Sequence, residues 1–457
     1  MLHVCAVRDP TGAYYLGQES AGSVAPARWV GRGAHGLGLR GAVWPAELAT
    51  TLAGGRRDGG RLVAARRVVA YDLVFTAPKS VSLAAALGDV SARKVVLAAH
   101  GVAWTAASDY LADRAAAVRR RDGPDRRLLP IDGLIAAAFT HQQNRAGEPH
   151  LHTHLLVANL ARGVDGRWSA LDARGLFAHA RAAGALYGSA LRHHLGEQLG
   201  IDWRRTRAGQ PEIAGVAPEL IGGFSSRSAE IRDDLASAGH RSVAARRIAW
   251  ARTRDGPERA RPDGERDESW WRQAGLLGAE GVLELRRTTR PEVAPDVDEH
   301  RIAAALDRID GAPRRRHLVA AWADAVLPGA AASVVLSCVD RFDDRRAVGV
   351  GEAPLGSGAV TPVHLLRVLG PRPADPVRLD VWLGAAATVD RYRARWGVTS
   401  TAPLGVSDDT ELRRLGAARL AEHLSLARGL DETLRRLGRP PVREVHSADR
   451  ALGLDRR

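Results

Sequence analysis

Four of the sixteen histidines fall between residues 141 and 154. His150, His152 and His154 stand at spacing two, which on a strand puts them on one face with Leu151, Thr153 and Leu155 on the other. Imidazoles about 7 Å apart along a strand can converge on one ion when a further residue joins from a neighbouring strand. His141, eleven positions before His152, lies just past the preceding strand-like run. Neutral imidazole suits Zn, Mn, Ni and Co, and three such ligands leave positions open for a substrate oxygen. The competing reading is a set of surface histidines on a polar sheet face. Asp72 sits inside the apolar run AYDLVFT, where an unpaired carboxylate is costly. It is a candidate to orient a ligand histidine through the ring's other nitrogen; an edge-strand Asp facing water is the other option. Tyr14 and Tyr15 are two of only six tyrosines. Alone they read as one core and one surface side chain. Beside a three-histidine metal, a phenol becomes a nucleophile for a phosphodiester and leaves a covalent phosphotyrosine, with metal polarisation of the phosphate oxygens stabilising the transition state.

These residues need elements to hold them. His3 to Val7 is a short apolar run closed by the turn signal DPTG, and the tyrosines follow it directly. Residues 70–76 read as a strand, running into a helix that starts near Pro78 and ends at Gly88. An Ala-rich helical segment is expected over 91–120. Residues 134–140 and 150–160 read as two strands joined by the polar loop HQQNRAGEP, a hairpin that brings His141 beside His152. Asp165-Gly166 marks a second turn before Trp168. Phe177, Ala180, Gly184, Tyr187, Leu191 and Leu195 recur every three or four residues, the pattern of an amphipathic helix.

The 457 residues are enough for two to three domains with a core that needs no disulfides. Only Cys5 and Cys338 are present, which excludes a disulfide framework or a four-cysteine zinc site and fits a reducing cytoplasm. The formal net charge is +14, and apart from Lys79 and Lys94 all of the basic residues are arginine. A GC-rich coding bias accounts for such a composition; so does a phosphate-rich partner, since guanidinium grips phosphate bidentately. The N-terminal residues lack the pattern of a signal peptide. The longest apolar stretch, Leu318 to Val339, is interrupted by Asp324 and Pro328 and reads as two buried segments rather than a membrane span. Composition shifts near Arg252: residues 253–268 and 286–300 are polar and read as exposed loops. The expected organisation is a first domain over 1–285, a linker over 286–299 and a smaller mixed or helical domain over 300–457, where Trp382 and residues 389–397 suggest a packed helical element.

The motif EPHLHTHLLVAN (148–159), with His141 upstream, resembles the three-histidine motif of the TrwC/TraI-type (MobF) conjugative relaxases, members of the HUH endonucleases. AYYLG (13–17), RWVGRGAHGLGLRG (28–41), YDLVFTAPKSVSL (71–83) and FSSRSAEI (224–231) match that family in order and spacing. The resemblance covers about residues 1–285. It implies an α/β (α+β) fold of two layers, in which a central antiparallel sheet carries the histidines. It implies that His141, His152 and His154 hold a divalent metal (Mg or Mn first, with Zn, Ni or Co as alternatives), His150 standing where relatives often carry an amide. It implies that Asp72 orients a ligand histidine or helps deprotonate tyrosine, and that Tyr14 is the nicking nucleophile, with Tyr15 as the other catalytic candidate. Arg145 and Lys79 occupy matching basic positions and are candidate DNA contacts, as are Arg28 and Arg32 beside Trp29, a packed structural Trp being the plainer reading there.

The implied activity is strand-specific nicking and rejoining of DNA at a plasmid origin of transfer, through a 5′-phosphotyrosine intermediate. The implied partner is single-stranded DNA in the cytoplasm, with a coupling protein of a secretion system and a separate helicase as further partners and no membrane. Two departures matter. Many relatives carry a second, separated tyrosine or pair; here no Tyr follows Tyr15 until Tyr71. Long relatives continue into a helicase with a GxxxxGK[ST] loop, but no lysine follows Lys94, and the Gly-rich residues 348–360 lack one; no ATP site is expected. A water-using metal-dependent phosphodiester hydrolase and an inactive DNA-binding remnant are the competing readings.

Overall fold

The computed structural model describes residues 1–18, 26–122, 125–206, 210–226, 263–279 and 314–347, with Ile302, Ala305, Leu306 and Trp382. In chain order the elements are β1 (Leu2–Val7), α1 (Ala13–Gln18), β2 (Arg28–Val30), α2 (Arg32–Gly36), α3 (Pro45–Leu52), β3 (Ala70–Thr76), α4 (Lys79–Leu87), α5 (Val90–Arg114), β4 (Val118–Asp122), β5 (Asp125–Leu129), β6 (Ala136–Gln143), β7 (Pro149–Ala158), β8 (Ala161–Arg162), β9 (Trp168–Ser169), α6 (Arg174–Leu199), β10 (Trp203–Arg204), β11 (Glu212–Ile213) and α7 (Pro218–Gly223). They are followed by α8 (Asp263–Leu276), α9 (Arg315–Ala325) and α10 (Ala332–Ala347).

Five strands form one antiparallel sheet in the order β1-β3-β7-β6-β2. Alternation along the strands splits the sheet into two faces. One carries Cys5, Asp72, Val74, Phe139, His141, His152, His154 and Leu156. Its apolar part packs under α1 and α3 in a core with Tyr15, Trp29, Leu48 and Leu52. The other face, with Leu73, Phe75, Leu151, Leu155 and Val157 all buried, lies against α4, α5 and α6. The two-layer α/β reading and the hairpin joining the histidine strands are both present. At the β2–α2 turn Gly31 has φ 94°, and a Cβ there would sit 2.3 Å from the Leu134 carbonyl oxygen; only glycine makes that approach.

Two local expectations differ. The helix expected over 91–120 stops at Arg114, and Val118–Asp122 pairs with β5 instead. Val118 is fully buried, while Arg119 and Arg120 are drawn off by Asp172 and Asp165 at 2.7 and 2.6 Å, contacts that outweigh alanine's helix preference nearby. The loop expected over 253–268 gives way to helix α8 from Asp263. Burying Trp270 at 1% exposure, with the Arg266 guanidinium 5.0 Å from its ring centroid, overrides the polar composition. Residues 253–262 lie outside the described residues, as do 286–299, 348–360 and 389–397.

The chain divides into compact units Met1–Val335 and Leu336–Arg457. The first unit thus runs past the linker expected at 286–299 and takes α9 with it. Leu318–Val339 forms α9 and the start of α10, and among the described residues no helix is long and apolar enough to cross a membrane. What fastens α9 is Arg192 on α6, 5% exposed. Its Nε donates to Leu327 O at 2.8 Å, and its Nη2 donates to Ala323 O and Val326 O at 3.0 and 3.1 Å. Those carbonyls lie in the last turn of α9 and the turn after it, where helical donors run out; Val326 O also accepts from Gly329 N at 3.1 Å. Burial lowers the Arg192 pKa to about 10, so the side chain stays charged at neutral pH. The next turn lies so close that a Cβ on Gly329 (φ 81°) would meet Ser189 O at 2.2 Å. Arg192→Met removes the donors and leaves the Ala323 and Leu327 carbonyls facing an apolar surface, while Val326 O keeps its bond from Gly329 N. It is expected to cost ~3 kcal/mol, read by denaturant unfolding; a loss under ~1 kcal/mol would show that packing alone holds α9.

Candidate active site

His141 and His152 are paired across the β6–β7 ladder, and His154 is two residues further along the same face. The ring centroids of His141 are 5.3 Å from His152 and 5.8 Å from His154, and those of His152 and His154 are 5.1 Å apart. His152 donates its Nδ1–H to the His150 carbonyl at 2.8 Å. His154 donates its Nδ1–H to the Asp72 carboxylate, at 2.9 and 3.1 Å to the two oxygens. Each bond places the proton on Nδ1 and leaves the Nε2 lone pair for a ligand. Burial lowers the pKa of His141 to about 4, His154 lowering it further and Asp72 opposing. Burial, then the neighbouring imidazoles, hold His152 well below its ordinary value. Both rings are neutral at neutral pH, the form that binds metals.

The Nε2 of His141 is buried with no hydrogen-bond partner, a costly state for a polar atom that a bound cation would relieve. The rings converge without closing: among the described residues no three His, Cys, Asp or Glu side chains are already drawn to ligand spacing. Three imidazoles, two with Nδ1–H fixed by a hydrogen bond and one with an orphaned nitrogen, fit a divalent cation.

Helix α1 carries the two tyrosines over this face. Its start is set by local turn bonds, from Thr11 N to Asp9 Oδ1 and from Ala13 N to Thr11 Oγ1. Consecutive helical residues diverge by about 100°, so the pair splits. Tyr15 is 5% exposed and packs on Phe139 with ring centroids 5.6 Å apart. Its hydroxyl donates to Asp72, and burial together with that carboxylate pushes its pKa far above the phenol range. Tyr14 is 38% exposed, with its ring centroid 6.4 Å from that of His154. Arg145 Nη2 lies 3.4 Å from the Tyr14 hydroxyl, and its guanidinium 5.8 Å from the ring centroid.

The other basic candidates stand elsewhere. The Lys79 ammonium donates to Pro149 O at 2.8 Å and lies 4.0 Å from Glu148; burial lowers its pKa, and its charge is engaged inside the protein. Arg28 points to the opposite face, its guanidinium 5.5 Å from the Trp104 ring centroid. Arg32 pairs with Asp113 and bonds the Asp132 carbonyl.

Some contributors were not foreseen. The loop bearing Arg145 is braced by Trp270, whose Nε1 donates to Gly147 O at 2.7 Å, and by Glu148, whose Oε1 accepts from Ser226 N at 2.9 Å. Ser226 belongs to the motif at 224–231, of which residues 227–231 lie outside the described residues. The β4–β5 ribbon carries Arg119, Arg120, Arg121 and Arg127, and the first two are paired with Asp172 and Asp165.

A family model described as TrwC relaxase matches residues 3–276. The multifunctional conjugation protein TraI of Escherichia coli strain K12 is 33% identical over 265 residues, covering 54% of this chain. The match spans 15% of that much longer relative. A metal-bound structure of conjugative relaxase TrwC in complex with oriT DNA is 27% identical with a TM-score of 0.56, covering 61% of this chain and 99% of the other. A TrwC complex with a 27-mer DNA comprising the recognition hairpin and the cleavage site is similar at 27% identity and a TM-score of 0.54, with 61% and 99% coverage.

Proposed function

The chain belongs to the TrwC relaxase family, and from that premise we propose that it nicks and rejoins one strand of DNA at a plasmid origin of transfer. The observation that carries the chemistry is the placement of Tyr14: an exposed phenol beside Arg145, above three converging imidazoles. In the proposed reaction the Tyr14 oxygen attacks the scissile phosphorus. The P–O3′ bond breaks, the phenolic proton is lost, and the departing 3′-oxygen takes up a proton. The result is a 5′-phosphotyrosine ester and a free 3′-hydroxyl, and because one ester replaces another the strand can be resealed. A divalent cation held by His141, His152 and His154 supplies Lewis-acid polarisation of the phosphate oxygens. Mn²⁺ or Mg²⁺ is the ion proposed, and the nitrogen donor set favours Mn²⁺ of the two.

Arg145 favours the phenolate and the charge developing on the phosphate. Asp72 holds His154 in the tautomer that presents Nε2, and anchors Tyr15 so that α1 keeps Tyr14 over the triad. A coupling protein of a secretion system and a helicase activity are the further partners proposed for strand transfer in the cytoplasm.

The test mixes the protein with a labelled single-stranded oligonucleotide from its own plasmid's nick region and Mn²⁺. A labelled band of protein size on a denaturing gel is the expected outcome. Cleavage without an adduct would replace this reading with that of a hydrolase, and DNA binding without cleavage with that of an inactive remnant.

A further inference from the structure

His141 and His152 occupy the last regular rung of their sheet, and His154 stands two positions further in, opposite Phe139 and Val74. Strand β2 pairs with β6 only as far as Ala138, opposite Arg28. Strand β3 ends its pairing with β7 at His152, opposite Thr76. Immediately after the His141–His152 pair, the β6–β7 register shifts between His141 and Gln143. The β6–β7 ladder is therefore interrupted directly beside the His141–His152 pair.

On the reverse face a buried polar chain stands at the next pair in, between the His141–His152 rung and His154. Thr140 and Thr153 are cross-strand partners, and their hydroxyls lie 2.8 Å apart. Thr140 adjoins His141 in the chain, and Thr153 lies between His152 and His154. Thr153 Oγ1 also meets Nε2 of His100 on α5 at 2.8 Å, and His100 Nδ1 meets the hydroxyl of Tyr187 on α6 at 2.8 Å. Thr153 and Tyr187 are fully buried and His100 is 1% exposed. Burial lowers the His100 pKa to about 3, so it is neutral. One arrangement satisfies the chain: Tyr187 donates to Nδ1, the Nε2–H donates to Thr153, and Thr153 donates to Thr140.

Apart from Arg28 and Tyr71 the rest of this face is apolar, and apolar residues would fill the same space without the desolvation cost of a polar network. What hydroxyls and an imidazole add is direction. We infer that His100 and Tyr187, acting through the Thr153–Thr140 hydroxyl pair, are positioning residues that fix the two strands so that the three histidines on the far face converge on one cation. The inference rests on the reading of the triad as a metal site.

The test titrates the full-length protein with Mn²⁺, following the free ion by EPR, alongside thermal unfolding of the metal-free protein and single-strand binding without metal. Thr153→Val, close in shape but without the hydroxyl, is expected to lose tenfold or more in Mn²⁺ affinity, as partners behind metal ligands do, with metal-free DNA binding unchanged. Thr153→Ser keeps the hydroxyl and is expected to stay within about threefold of the parent. Tyr187→Phe, which leaves His100 without its second partner, is expected to weaken Mn²⁺ binding as well, and it decides the matter should Thr153→Val not fold. Folded variants that bind Mn²⁺ within twofold of the parent would overturn the inference. So would a Thr153→Ser protein as weak as Thr153→Val, since volume would then be the cause. If the parent itself binds no Mn²⁺, the metal reading fails and this inference falls with it.

Discussion

Tyr14→Phe is expected to abolish the covalent protein–DNA adduct, a loss of at least about a thousandfold in its rate of formation, while single-strand binding persists. Tyr15→Phe is expected to retain the adduct at a rate reduced about tenfold or less. The two phenols are neighbours in sequence but differ in the work needed to ionise them. Tyr15 is packed on Phe139 and bonded to Asp72; ionising it would place an anion against a carboxylate in a buried site, and its raised pKa expresses that cost. It also has no open path to a DNA phosphate at 5% exposure. Tyr14 has solvent on one side and the Arg145 guanidinium on the other. What Tyr15→Phe removes is a hydrogen bond to Asp72, so its effect travels through the placement of α1 and His154. An adduct that survives Tyr14→Phe and disappears with Tyr15→Phe would reverse the assignment and require α1 to rotate when DNA binds.

The histidine cluster was legible because the chemistry and the periodicity coincide. Spacing two on a strand gives one face whatever the surrounding fold, and the polar nine-residue run 141–149 between two strand-like runs calls for a hairpin that brings His141 beside His152. Asp72 was legible for a similar reason: a carboxylate inside an apolar strand needs a partner, and His154 is that partner. Lys79 was not legible. A lysine at a helix start looks solvated, and only the folded chain shows the Pro149 carbonyl and Glu148 waiting for it. His100 was hidden for the opposite reason. One histidine in an Ala-rich helix carries no pattern, and its partners Thr153 and Tyr187 are 53 and 87 positions away. The helix at 263–276 was masked by composition, since its stability comes from burying Trp270 and Ala274 rather than from its polar first turn. Local spacing reports which residues share a face; it cannot report what packs against that face.

Asp72→Asn is expected to weaken Mn²⁺ binding 10- to 100-fold and to slow adduct formation by more than that at limiting metal. The substitution keeps the shape and removes the charge, but the hydrogen-bond arithmetic no longer closes. The carboxylate accepts from His154 Nδ1–H and from the Tyr15 hydroxyl. An amide offers one oxygen and one donor group, so one of the two partners now faces N–H. Where that partner is His154, the ring takes its proton on Nε2 instead, and the nitrogen that faces His141 and His152 ceases to be a ligand. A comparable exchange behind the histidine of a serine protease triad costs about 10⁴-fold through the wrong tautomer. Saturating Mn²⁺ separates the two routes by which Asp72 acts. If excess metal restores the adduct rate, the residue works through His154 alone. If the rate stays low with the site filled, the lost bond to Tyr15 has also let α1 shift, and Tyr14 with it. Metal affinity equal to the parent's would remove Asp72 from the site and leave it a role in folding only.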